Sequence, residues 1–297
     1  MSAKTGPSLT EQLCCAYQYC IPQRHLTAVI HWMARRRSPV WLKNWAIRRF
    51  AAAFGVDLAE AEHADPARYA NFNAFFTRAL KPGARRIVEE GNALACPVDG
   101  TVSQCGSIDR DTVFQAKGRT YSLTTLLGGD TELSRPFENG LFATLYLSPK
   151  DYHRIHMPFP GTLRCTVHVP GRLFSVSPLT TRVVPRLFAR NERLACVFDT
   201  ALGPMAVVLV GAVNVASMET VWAGVITPPF ASRVERCSFP NPVSGASVGL
   251  AKGEELGRFN MGSTVILIVP QGAVRWDAVV REGSGVRMGQ RLASRLG

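Results

Sequence analysis

The sequence predicts an α+β fold: an N-terminal helical region packed on a β-rich body with barrel- or sandwich-like strands. Three observations carry this. Residues 9 to about 80 read as helical segments punctuated by Pro22, Pro39 and Pro66. From Val88 onward the pattern changes to short alternating or β-branched runs separated by turns. The 297 residues are 46% hydrophobic and 19% charged, enough apolar surface for one large folded unit or two modest ones. The expected division is 1–85, helical, and 86–297, β-rich.

The chain begins MSAKTGPSLTEQL, without the basic start and apolar core of a signal peptide. No run approaches the ~18 apolar residues of a spanning helix. The nearest, Met205 to Met218, is valine-rich and broken by Gly211 and Asn214, so it reads as one or two core strands. The expectation is a soluble or peripheral protein. Ser38-Pro39 is expected to start a helix, with serine as cap and proline at the first helical position. That helix carries Trp41 and Trp45 one turn apart, near Arg35, Arg36, Arg37, Lys43, Arg48 and Arg49. Two readings stand: a core helix with a solvated basic side, which the residues alone favour slightly, and a face for an anionic membrane.

In the β-rich part, Leu163 to Val169 alternates and ends at Pro170-Gly171, as a half-buried strand does. His168 falls on its polar phase and is expected at the surface. Leu141 to Leu147, Ala206 to Val213 and Val221 to Ile226 read as further strands. Lys252 to Leu256 resembles Met288 to Leu292, each a turn leading into a strand, which hints at a duplicated small barrel. Near the end, Gly262-Ser263-Thr264 opens the run Val265 to Val269, a buried strand by its β-branched composition.

The formal net charge of +12 favours nucleic acid, an anionic membrane or an anionic substrate without choosing among them. A nucleic-acid surface would want interleaved aromatic and basic strand positions, and these are lacking. The eight cysteines include no CxxC pair, so free thiols in a reducing compartment are expected and a zinc ribbon is not.

Three stretches bear chemistry. Cys96-Pro97-Val98-Asp99-Gly100 on its own reads as a hairpin turn. Tyr152-His153-Arg154-Ile155-His156-Met157-Pro158 holds two of the six histidines, three residues apart. A His-x-x-His pair binds metal only with further ligands, and none is arranged nearby, so no metal is expected. Proton transfer suits the pair better. Gly262-Ser263 is the third stretch: glycine permits a strained backbone and leaves its carbonyl open to the serine hydroxyl. Asp99, one of the two histidines and Ser263 are the parts of a serine nucleophile with base and orienter. Composition leaves open which histidine takes part.

Over nearly its whole length the chain resembles the phosphatidylserine decarboxylase family, pyruvoyl-dependent enzymes of bacteria and mitochondria. The resemblance is carried by Phe72-Asn73-Ala74-Phe75-Phe76-Thr77-Arg78 with Leu80 to Arg85, by Pro97-Val98-Asp99-Gly100, and by Gln115-Ala116-Lys117-Gly118. Tyr152 to Pro158, Pro170-Gly171-Arg172-Leu173-Phe174-Ser175-Val176 and Gly262-Ser263-Thr264 continue it in order. One departure is Met261, where the family has leucine; volume and polarity are conserved.

The resemblance implies a proenzyme that cuts itself at Gly262-Ser263. Ser263 attacks the Gly262 carbonyl, with His156 as general base and Asp99 as its orienter. Residues 1–262 become the large subunit, and Ser263 becomes a pyruvoyl group, the covalent cofactor, heading a small subunit 263–297. That group forms a Schiff base with phosphatidylserine, and His153 serves the decarboxylation and protonation step. The implied partners are phosphatidylserine in an anionic membrane and the two subunits as a heterodimer, with further dimerisation open and no nucleic acid. The implied location is peripheral, on the cytoplasmic side of the cell membrane, with residues 1–85 associating with it. The alternatives are a pyruvoyl decarboxylase for another amino-phospholipid or amino acid, and a serine hydrolase using Asp99, His156 and Ser263.

Overall fold

The computed structural model describes residues 8–116, 118–213, 217–226, 231–241, 243–260 and 263–296. Helix α1, Leu9–Cys20, starts with a capping box. The Ser8 hydroxyl accepts from the Glu11 N–H at 3.2 Å, and the Glu11 carboxylate accepts from the Ser8 N–H at 2.9 Å. A cap of this kind contributes about 1 kcal/mol. Helix α2 spans Gln23–Ala34 and α3 spans Val40–Phe54, ending on Gly55 in the left-handed region. Ser38 does not cap α3; Pro39 takes that position without a side-chain bond, so the helix starts one residue later than expected. Between α3 and the short α4, Phe72–Phe76, the expected helix is replaced by mostly irregular chain with one 3₁₀ turn at Pro66–Arg68. The reason is local: Asp57 and Asp65 accept from the N–H groups of Ala59 and Ala67, in competition with helical pairing.

The helices have a small core of their own, in which Ile47, Tyr69 and Phe75 are buried. They are tied to the β-rich part by two buried amides. The Gln18 and Gln23 side-chain oxygens accept from the N–H groups of Ser175 and Leu173, each at 2.9 Å. The outer side is unusually apolar. Leu9, Leu13 and Tyr17 lie at i, i+4 and i+8 of α1, all more than half exposed. Val29, Trp32 and Met33 of α2 are exposed as well. Trp41 is 70% and Trp45 56% exposed, so the core-helix reading of these tryptophans is overturned. Ile47 and Lys43 take the buried side of α3 instead, with the lysine ammonium donating to the Tyr69 carbonyl at 2.6 Å.

The main sheet is antiparallel. Its order is Glu235–Ser238, Gly161–Val169, Arg193–Thr200, Gly203–Val210, Ser263–Val269, Leu141–Leu147, Gly100–Ser107 and Gly285–Val286. The Ser263–Val269 strand is central, and Val265 to Val269 are each 0% exposed. Burying one such aliphatic side chain stabilises by about 1.5–3 kcal/mol. The sheet remains open at both ends, so the described strands form no closed barrel. A second sheet runs Gly224–Val225, Met218–Thr220, Glu255–Phe259 and Arg154–His156.

Two details depart from the periodicity. His168 is 3% exposed and bonded through Nε2 to Glu192 at 3.0 Å, because its strand is covered on both faces at that end. Asp99-Gly100 is not a hairpin turn. Gly100 opens a strand whose backbone lies so close to Tyr146 that a Cβ would sit 2.3 Å from its carbonyl oxygen.

The two similar turns do lead into strands, and they are used alike. Gly253 donates its N–H to the Met157 carbonyl while Glu254 accepts from the Met157 N–H. Gly289 and Gln290 make the same pair of bonds with Cys96. Both glycines have φ near +85°, a conformation that strains other residues. Their two target segments pair with each other, the His156 N–H donating to the Pro97 carbonyl at 2.8 Å. This repeated arrangement brings the Asp99 and His156 segments side by side.

Candidate active site

Ser263 begins the central strand and pairs with Leu147 on one side. The pairing with Gly203–Val210 starts only at Thr264, so among the described residues Ser263 has a neighbour on one side alone. Gly262 and the Ser263 side chain lie outside the described residues. The chain leaving Leu147 turns at once: the Asp151 carboxylate accepts from both the N–H and the hydroxyl of Ser148, each at 2.7 Å. That turn delivers His153 to the interior.

His153 is 0% exposed. Its Nδ1 lies 2.8 Å from the Asp151 carbonyl, which can only accept, so Nδ1 carries the proton. Nε2 then offers a lone pair that is buried and, among the described residues, without a partner. The Phe76 ring packs on the imidazole at 4.1 Å between centroids. Burial drives the pKa down to about 3, the Asp151 carbonyl opposes this, and the charge of Arg78 lowers it further. The ring is therefore neutral at physiological pH.

This has a thermodynamic consequence. Unfolded His153 takes up a proton near pH 6.5, whereas folded His153 refuses it until about pH 3. Its contribution is fully present above pH 6.5 and is lost as pH falls through that window, with a slope of about 1.4 kcal/mol per pH unit. In an uncleavable Ser263→Ala chain, His153→Phe is expected to flatten the pH dependence of urea unfolding by that slope. Equal slopes in the two chains would contradict the burial of a neutral imidazole.

Arg78 shares the Asp151 carbonyl with His153, its Nη2 lying 2.9 Å from the Lys150 carbonyl and 3.4 Å from that of Asp151. It is 4% exposed, and its Nε and Nη1 are buried without partners. Burial lowers its pKa. Arg78 also lines a polar cavity of about 550 Å³, together with Glu60, Arg85, Asp99, Lys150 and Tyr152.

His156 has different surroundings. Nδ1 donates to the Gly253 carbonyl at 2.8 Å, which makes Nε2 the acceptor for the Tyr152 hydroxyl at 2.9 Å. Burial lowers the His156 pKa and raises that of Tyr152 to about 12. Asp99 does not hydrogen-bond to His156. Its carboxylate accepts from the Arg85 guanidinium, at 2.9 Å to Oδ1, and from the Met288 N–H at 2.8 Å. Arg85 in turn reaches Glu60, and the Asp99 carboxylate holds its pKa above the usual guanidinium range. The Asp99 charge still acts on the nearby His156 ring and raises its proton affinity. The Nδ1 contact that sets the His156 tautomer thus comes from a backbone carbonyl.

The structure therefore gives His153 and His156 different partners, and sets Asp99 near His156 but engaged with Arg85. Arg78, Arg85 and Tyr152 were missed as site residues, although all three lie in the stretches Phe72 to Arg78, Leu80 to Arg85 and Tyr152 to Pro158. Asn260 was also missed. Fully buried, it accepts from the Asn73 amide at 2.9 Å and donates to Ser217 and Glu219 at 2.6 and 2.9 Å, fixing the chain just before Gly262.

Comparison with known proteins places this arrangement. The family model described as phosphatidylserine decarboxylase matches residues 72–294, and one described as PSD matches residues 13–55. A phosphatidylserine decarboxylase proenzyme of Methylococcus capsulatus is 52% identical over 287 residues, covering 97% of this chain and 98% of its own. That of Alkalilimnicola ehrlichii is 54% identical over 258 residues, covering 87% and 88%. That of Bordetella pertussis is 53% identical over 283 residues, covering 95% and 94%. The chain belongs to the phosphatidylserine decarboxylase family.

Proposed function

We propose that this protein is a phosphatidylserine decarboxylase made as a proenzyme, which cleaves itself between Gly262 and Ser263 and then converts phosphatidylserine to phosphatidylethanolamine and carbon dioxide. One observation supports this most: Ser263 opens a buried central strand, among the described residues with a neighbour on one side only, and its pairing partner Leu147 runs straight into the turn that buries His153.

In the cleavage, the Ser263 hydroxyl adds to the Gly262 carbonyl. His156 Nε2 accepts the hydroxyl proton and returns it to the Ser263 nitrogen as the amide bond breaks and an ester forms. Tyr152, which donates to Nε2, lies on that proton's path or must turn aside for it. The Gly253 carbonyl holds the ring, and Asp99 favours its protonated form through charge. Elimination of the ester frees residues 1–262 with a carboxylate end. Uptake of water and loss of ammonia leave a pyruvoyl group at the head of 263–297.

The residues present fit such a group. Among the described residues the buried Nε2 of His153 and the buried hydroxyl of Thr264, the residue after Ser263, have no protein partner. Formed there, the group supplies a conjugated keto function that accepts electrons as carbon dioxide leaves. His153, neutral and with a lone pair at Nε2, takes there the proton that the substrate ammonium gives up and delivers it to the substrate carbon that carbon dioxide leaves. Its enclosure against Phe76 keeps water from competing. Arg78, with two unpartnered donors, attracts the anionic substrate.

Residues 1–85 form the membrane-associating region in this reading. Among the described residues no helix is long and apolar enough to cross a membrane. The exposed apolar faces of α1, α2 and α3 instead suit peripheral docking on the cytoplasmic leaflet of the cell membrane. The function is tested by supplying phosphatidylserine in mixed micelles to the purified protein. Phosphatidylethanolamine and carbon dioxide should appear in equal amounts. Turnover of free serine or another amine with none of phosphatidylserine would refute it.

A further inference from the structure

Between the start of α2 and the Pro170–Arg172 loop lies a groove of about 790 Å³ lined by Arg24, Arg172 and Arg190, and by none of the residues Asp99, His153 and His156. Among the described residues none of these three guanidiniums meets a carboxylate. Arginines on either side do: Arg182 pairs with Glu11 and Arg35 with Glu219. Glu192, the carboxylate of the neighbouring segment, is taken by His168.

The two segments are tied together through their backbones. The Arg172 N–H donates to the Arg190 carbonyl and the Glu192 N–H to the Arg172 carbonyl, each at 2.8 Å. Gly171 lets the two segments touch, since a Cβ there would lie 2.4 Å from the Arg190 carbonyl oxygen. Arg190 lies against the packed pair of rings Phe174 and Tyr19, 4.9 and 5.4 Å from their centroids. Arg24 reaches the Gly171 carbonyl at 3.3 Å. The floor is the first turn of α2, whose cap residue Pro22 provides no side-chain acceptor, so the positive end of the helix dipole adds to the three charges.

Three like charges lining one groove, none paired with a carboxylate among the described residues, repel one another unless an anion joins them, and guanidiniums match phosphate oxygens well. The groove also borders the exposed apolar face, with Tyr17, Tyr19 and Leu26 all exposed beside it. We propose that this groove binds the phosphate of an anionic phospholipid, as a docking site separate from the reacting centre. This rests on the reading of α1 to α3 as membrane-facing.

The test uses the full-length processed protein and sedimentation with vesicles, either of phosphatidylcholine alone or with phosphatidylglycerol added. Each arginine removed at such a surface is worth about fivefold in binding. The double variant Arg24→Gln, Arg172→Gln should therefore lose roughly 25-fold on phosphatidylglycerol vesicles, while keeping wild-type turnover of micellar substrate. The charge-matched control Arg48→Gln, Arg49→Gln should lose much less. Equal losses in the two double variants, or none in the first, would overturn the groove site. Wild-type protein that binds neither vesicle would overturn membrane docking itself and this site with it. Calorimetric titration with inorganic phosphate separates the sources. Phosphate binding that requires Arg24 and Arg172, with vesicle binding unchanged in their variant, would mean a free-phosphate site and refute the lipid assignment.

Discussion

His153→Ala is expected to leave self-cleavage complete and to lower the decarboxylation rate by about 10²–10⁴-fold, the range for loss of a positioned proton-transfer group. His153 and His156 are three residues apart, yet their rings bond to different partners. One packs against Phe76 with a free Nε2, and the other is held between Gly253 and Tyr152. Removing the first ring leaves the contacts of the second in place. The split is read by gel for cleavage and by carbon dioxide release per cleaved chain for turnover. A cleaved His153→Ala enzyme with normal turnover would contradict the assignment, as would failure to cleave.

Ser263→Ala is expected to abolish cleavage and activity together, leaving one chain of 32.4 kDa. Alanine has no hydroxyl to attack Gly262 and nothing from which a keto group can form, so the loss is total. His156→Ala should slow cleavage by about 10²–10⁴-fold, because serine is a poor nucleophile without a base. Asp99→Asn should have a smaller effect if it acts through charge alone, as its engagement with Arg85 and Met288 indicates. A time course of cleavage on freshly purified protein ranks the three variants. Wild-type cleavage in His156→Ala would remove that residue from the mechanism.

Much of this was legible in the residues. The β-branched run Val265 to Val269 reads as a buried strand and Leu141 to Leu147 as another, and both are strands, paired with each other. The basic, tryptophan-bearing α3 was ambiguous, because periodicity gives the faces of a helix but not which one meets the body. Lys43 shows why: its ammonium is buried against the Pro66 and Tyr69 carbonyls, acceptors supplied by chain more than twenty residues away. His168 misled for a related reason. Alternation assigns a face to each residue, but both faces of that strand end are covered.

The site was legible in its parts and not in its wiring. Asp99, His156 and Ser263 are the residue types a serine nucleophile needs, and nothing in their spacing reveals that Arg85 takes the carboxylate. The preference is electrostatic: a buried carboxylate gains more from a guanidinium than from a neutral imidazole. The Gly253 carbonyl that sets the His156 tautomer belongs to a turn 97 positions along the chain. The likeness of Lys252–Leu256 to Met288–Leu292 was the one sequence signal for that wiring, since both turns grip the segments that carry His156 and Asp99.

The central claim is that Ser263 acts first as a nucleophile and then, converted, as the electron-accepting group. Mass spectrometry of the 262/263 junction in active protein tests it most directly. The account predicts two chains, 1–262 ending in a free carboxylate and 263–297 lighter by one ammonia than the peptide that begins with serine. An active enzyme that remains a single intact chain, or whose small chain begins with unaltered serine, would contradict it.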